Sequence, residues 1–127
     1  MRFPRYIILL DLFLCSLFAI PGLSDVVIAV INDLNAAFGL SGGPVTLSGG
    51  AGFFVNFGGL LGVVFNLALL DPAALRLHRI NIVARGLVSL LVLYHIMLFA
   101  LPLLYLVIVV TEFVGGLIEW RWLRQQE

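Results

Sequence analysis

Four apolar runs dominate the chain, at about residues 6–22, 51–70, 80–101 and 102–122. A run of ~20 apolar residues is long enough to cross the ~30 Å hydrocarbon core of a bilayer as a helix. In lipid, each backbone amide and carbonyl must find its partner within the protein, and a helix does this within a single segment. The 127 residues are 62% hydrophobic and 11% charged, against about 25% charged in soluble domains. An ordinary soluble fold is thereby excluded. The expectation is one all-α domain, residues 1–127, built as a four-transmembrane-helix bundle. Zero net charge offers no electrostatic footprint for nucleic acid.

Proline and glycine punctuate the runs. Pro102 is placed as the first residue of the fourth helix, so spans three and four form an antiparallel hairpin. Pro21 ends span one, with a kinked continuation into residues 26–31 as the alternative. Ser24 is expected to cap a short helix from 25 to about 38, stopped by Gly39. Its Asp25, Asn32, Asp33 and Asn35 suit a helix lying at the membrane interface. The Ser41–Pro44 and Ser48–Gly50 stretches read as a flexible loop. Asp71-Pro72 signals a short helix over 72–79 before span three. The basic start (Arg2, Arg5) raises the possibility of a signal peptide. Asp11 interrupts its apolar middle and no small-x-small site follows, which favours an uncleaved span. Cys15, the single cysteine, reads as a small packing residue.

All seven basic residues are arginine. Arg2 and Arg5 precede span one, Arg76 and Arg79 separate spans two and three, and Arg121 and Arg124 follow span four. The segment between spans one and two carries only Asp25 and Asp33. The positive-inside rule therefore places both termini in the cytoplasm of an inner-membrane, multi-pass protein. Trp120 and Trp122 are expected at the inner boundary, with Tyr94, Tyr105, Phe53 and Phe54 toward the outer one.

Three charges fall inside these runs: Asp11, Arg85 and Glu112. A charge near a helix centre costs ~2.5–3.5 kcal/mol on insertion scales. The eleven Leu, Ile, Val and Phe residues between 103 and 118 return roughly 3–7 kcal/mol, so span four inserts despite Glu112. At 100° per residue, Asn81, Arg85, Ser89 and His95 share a stripe, as do Glu112, Gly115, Gly116 and Glu119. Span two aligns Asn56, Gly59 and Asn66, and also contains a Gly-x-x-x-Gly pair (Gly58, Gly62) suited to internal packing or dimerisation. By depth, the candidate intramembrane polar cluster comprises Asp11, Asn66, Arg85, Ser89 and Glu112. Within it Asp11 is the natural partner of Arg85, and Glu112 lies within reach. One reading is a buried pairing network that fixes helix packing. The other makes Glu112 the wall of a polar cavity that handles a proton, a cation or a headgroup. Asn56 and His95 share a level closer to the outside and form a secondary polar pair, with Tyr94 as the other candidate partner of His95.

No nucleophile–base arrangement, phosphate loop or Cys-x-x-Cys motif is present. His78 and His95 lie ~25 Å apart along one helix and cannot share a metal, so no cofactor is expected. The chain resembles the DoxX-like group of small four-span bacterial membrane proteins. The resemblance rests on Phe57-Gly58-Gly59-Leu60-Leu61-Gly62, Leu70-Asp71-Pro72-Ala73-Ala74-Leu75, Ala84-Arg85-Gly86 and Thr111-Glu112-Phe113, and it covers most of the chain. It implies a four-span bundle and, for some members, membership in thiosulfate–quinone or other membrane oxidoreductase complexes. The leading expectation is a non-enzymatic subunit or small binding protein. Its partners would be the lipid bilayer and a second copy or another membrane subunit. A small proton- or solute-coupled transporter using Glu112 and a DoxX-like oxidoreductase subunit are the alternatives.

Overall fold

The computed structural model describes residues 3–126, so Arg2 of the basic start lies outside the described residues. No strand occurs among them. The helices are α1 (Arg5–Ala19), α2 (Leu23–Ala37), α3 (Gly50–Leu69), α4 (Leu75–Phe99) and α5 (Leu106–Leu123), the last entered through a 3-10 turn at Leu103–Tyr105. Three helical segments, Gly50–Leu69, Leu75–Phe99 and Leu103–Leu123, are long and apolar enough to cross a membrane.

The first run behaves differently. Helix α1 has 15 residues, about 22 Å at 1.5 Å per residue, and stops at Ala19 instead of reaching 22. The chain then bends by 106° into α2, with Pro21 in the turn and Gly22 at φ 81°, a conformation glycine adopts without steric cost. A fourth crossing is counted only when α1 and α2 are taken together as one broken span.

Several local expectations need correction. Ser24 does not cap α2: Gly22 occupies that position without a side-chain cap. Ser24 is instead fully buried and accepts a hydrogen bond from Asn56 Nδ2 at 2.9 Å. Asp71-Pro72 starts no separate helix. Asp71 Oδ1 accepts from the Ala73 amide at 2.9 Å, making a local turn, and α4 runs unbroken from Leu75. The loop after α2 is also pinned. Asn32 exchanges two hydrogen bonds with the Val45 backbone at 2.7 and 3.0 Å. Asn35 donates to the Leu40 and Ser41 carbonyls and accepts from the Leu104 amide at 3.0 Å. Gly42 passes so close to the α4–α5 connection that a Cβ would lie 2.6 Å from the Leu101 carbonyl oxygen.

Packing divides into two antiparallel pairs, α1 with α3 and α4 with α5. Gly59 makes the first possible, because a Cβ there would sit 2.5 Å from the Ala19 nitrogen. Gly62 does the same against Cys15 Sγ. A Cβ at Gly58 meets nothing, so the contact face is Gly59–Gly62 and not the Gly58–Gly62 pair.

The exterior is apolar, with Phe53, Phe54, Met97 and Leu98 all more than 60% exposed, while Asn66, His78, Asn81, Arg85 and Glu119 are buried. Such an inverted distribution suits a solvent of lipid tails, in which exposed apolar side chains carry no penalty. Trp122 is 3% exposed and packs against Phe3 and His78.

Candidate functional site

Helix α4 places His78, Asn81 and Arg85 on one face at spacings of three and four. Helix α5 opposes them with Glu112, Gly115, Glu119 and Trp122 at the same kind of spacing, and α1 supplies Asp11. Arg85 is the hub. Its Nη1 donates to Glu112 Oε2 at 2.8 Å, and its Nη2 donates to Asp11 Oδ2. Its Nε lies 3.5 Å from Glu119 Oε2 and makes no hydrogen bond among the described residues. Gly115 leaves the space this requires, since a Cβ there would stand 2.8 Å from Nη1.

Glu119 links the hub to a second centre. Its Oε2 accepts from Asn81 Nδ2 at 2.8 Å, and its Oε1 lies 2.6 Å from His78 Nδ1. The other imidazole nitrogen, Nε2, faces the Asp71 carbonyl at 3.2 Å. Both ring nitrogens thus face oxygen acceptors. Phe3 and Trp122 enclose the imidazole with edge contacts and lie tilted against each other, and His78 is fully buried. One guanidinium, that of Arg85, thus faces the carboxylates of Asp11, Glu112 and Glu119.

The cluster reaches the surface through a groove of about 530 Å³ between α4 and α5. Arg85, Ser89 and Glu112 are its polar lining; Ile82, Leu90, Phe113 and Leu117 are among its apolar walls. Gly86 and Gly116 keep it open: a Cβ at Gly86 would meet no atom within 4 Å. Of the three carboxylates, only Glu112 lines this groove.

Asp11, Arg85 and Glu112 therefore meet at one point. Ser89 joins them at the groove wall, although its hydroxyl donates to the Arg85 backbone carbonyl at 2.9 Å. Asn66 stands apart, donating to the Gly62 carbonyl at 2.9 Å and facing Cys15 Sγ at 3.7 Å. The Asn56–His95 pair does not form. Asn56 points into the α1–α2 corner, donating to the Phe18 carbonyl at 2.8 Å and to Ser24. His95 Nδ1 bonds the Leu91 carbonyl of its own helix, and the ring lies beside Tyr94 and Phe99. Shared depth is insufficient here because α3 and α4 barely touch. Sequence reasoning left Glu119 and His78 out of the site. Their signal was the seven-residue spacing to Glu112 and Arg85, which puts each on the face of a residue already selected. Among the described residues no group of three or more His, Cys, Asp or Glu side chains is arranged to hold a metal ion.

Comparison with protein-family models, curated proteins and solved structures finds no match to this chain.

Proposed function

We propose that the chain is a small four-span protein of a bacterial inner membrane that binds a hydrophobic, membrane-dissolved molecule in the α4–α5 groove. In this reading α1 and α2 form one broken span, and both termini lie in the cytoplasm. The arginine asymmetry supports that orientation. The observation that carries the reading is the groove itself: an apolar trough with an Arg85–Glu112 ion pair and a serine hydroxyl on its floor. Ligand sites have this composition, apolar walls with a few fixed polar groups that set orientation. The protein acts without chemistry of its own, alone or as a subunit beside a second copy or another membrane protein. Membership in the DoxX-like group belongs to the same proposal, supported by the α4 arginine and α5 glutamate of that pattern.

The test is extraction in mild detergent followed by mass spectrometry of what copurifies. A hydrophobic small molecule should accompany the parent. It should be absent from Gly86→Leu, which adds bulk at a groove-lining position where a Cβ meets no atom within 4 Å. Equal recovery from both proteins would sink the reading.

A second reading, proton-coupled transport, draws support from the three carboxylates gathered around one guanidinium. Three acids around one guanidinium and one imidazole can take up and release a proton as a substrate leaves or enters. In proteoliposomes, a pH-driven flux that disappears with Glu112→Gln would favour transport over simple binding.

A further inference from the structure

Around Glu112 the open polar atoms of the α4–α5 groove are of one kind. Glu112 commits Oε2 to Arg85. Its other oxygen, Oε1, accepts no hydrogen bond among the described residues and is not sealed from the surface. Ser89 gives its single hydroxyl hydrogen to the Arg85 carbonyl at 2.9 Å, so its oxygen can only accept. Arg85 is 4% exposed and already donates from both Nη atoms to carboxylates. A ligand at this level therefore meets two acceptors and no ready donor. The level is deep: Glu112 lies near the middle of the Leu103–Leu123 segment, about 14–17 Å of helix rise from either end.

From these open acceptors we infer that the groove takes a lipophilic amine. Its ammonium donates to Glu112 Oε1 and Ser89 Oγ, and its hydrocarbon body lies along the trough toward Trp120. The inference rests on the binding reading above and names its ligand class. Hydrogen bonding selects the head: a protonated primary amine carries three donors and no acceptor, the complement of these two oxygens. Charge selects it again, because three carboxylates already share one guanidinium. An anion would meet the open carboxylate oxygen, and a ketone or ester would bring acceptors to acceptors. Depth selects a free amine over the amino headgroup of a lipid, which belongs at the membrane–water boundary and not at the level of Glu112. The trough selects the body: about 530 Å³ is the size of a small-molecule site, and Glu112 to Trp120 spans about 12 Å of helix rise. Leu90 and Phe113, both on the groove wall, are 64% and 65% exposed, so the groove opens sideways, where a membrane-dissolved molecule would enter.

Quenching of tryptophan fluorescence in phosphatidylcholine vesicles tests this on the full chain. Dodecylamine brominated at the end far from its nitrogen carries the bromine toward Trp120 when the ammonium sits at Glu112. The difference between the parent and Trp120→Phe isolates that reporter from Trp122. The amine should quench saturably, at a membrane-bound mole fraction on the order of tenfold lower than the matching brominated alcohol or carboxylic acid. The brominated trimethylammonium analogue, charged but without an N–H, should also bind more weakly than the amine; equal affinity would overturn the hydrogen-bonded seat. Equal affinity for amine, alcohol and acid, still sensitive to Gly86→Leu, would overturn the amine while leaving the groove reading intact. Insensitivity to Gly86→Leu would remove both. Glu112→Gln should abolish the preference for the amine and Ser89→Ala should weaken it, provided each melts as the parent does; an unchanged preference in Glu112→Gln would overturn the seat. Where Glu112→Gln fails to fold, the ranking of the probes on the parent decides. Adding phosphatidylethanolamine should leave the quenching unchanged; displacement by it would mean a headgroup site and overturn the free amine.

Discussion

Gly59 on α3 and Gly115 on α5 look alike in sequence, each beside another glycine in an apolar run. A Cβ at Gly59 would strike the backbone of α1 at 2.5 Å, whereas one at Gly115 would strike the Arg85 guanidinium at 2.8 Å. One helix pair uses the missing side chain to bring backbones together, as small residues commonly do in membranes. The other uses it to house a charge. The α1–α3 pair is a packing device, and the α4–α5 pair is a scaffold for polar groups with an open trough beside them. Identical local composition thus supports two kinds of interface, and only the opposing helix reveals which.

The largest effect should come from emptying the second kind. Arg85→Met leaves Asp11, Glu112 and Glu119 without their shared guanidinium. Removing one partner of a buried ion pair costs about 3–5 kcal/mol, so the variant should lose most of its folded yield, read as a thermal melt in detergent. A melt equal to the parent's would mean that the cluster is dispensable and the contrast between the pairs is false. Next comes Gly59→Ala, which forces α1 and α3 apart. Overpacking of this kind costs about 1–3 kcal/mol, while Gly58→Ala, facing open space, should stay within about 0.5 kcal/mol of the parent. Similar losses at both positions would show that close approach to α1 does not distinguish Gly59 from Gly58, since alanine is the better helix former at either site. The smallest effect concerns the corner above that crossing. Asn56→Ala removes two hydrogen bonds to α1 and α2, and interhelical bonds in membranes average about 0.6 kcal/mol each. Its melt should drop slightly, and that of His95→Ala, whose partner is its own helix, should not.

The long apolar runs were readable because a bilayer demands ~20 residues per crossing, and α3, α4 and α5 follow them closely. The α1–α2 bend was less legible, because Pro21-Gly22 permits either a kink or a reversal and the choice depends on what α2 packs against. Arg85 with Asp11 and Glu112 could be found from depth and helical phase alone. Glu119 and His78 escape because Glu119 reads only as part of a stripe on its helix and His78 only against His95. In the structure both are buried and meet each other at 2.6 Å. Asn56 and His95 show the converse error: two residues can share a level and still face different neighbours. Phase and depth locate a residue on its own helix, and only helix pairing decides whom it meets.

The 74 residues separating Asp11 from Arg85 also set a timetable. At ~5–20 residues per second of synthesis, Arg85 emerges about 4–15 s after Asp11. The first carboxylate is therefore made well before its counter-charge exists, while α3, its neighbour in the finished fold, is made in between. Arg85 then arrives ahead of Glu112 and Glu119. Along the chain the order of charges is minus, plus, minus, minus, so α4 carries the one cation that ties the first helix to the last.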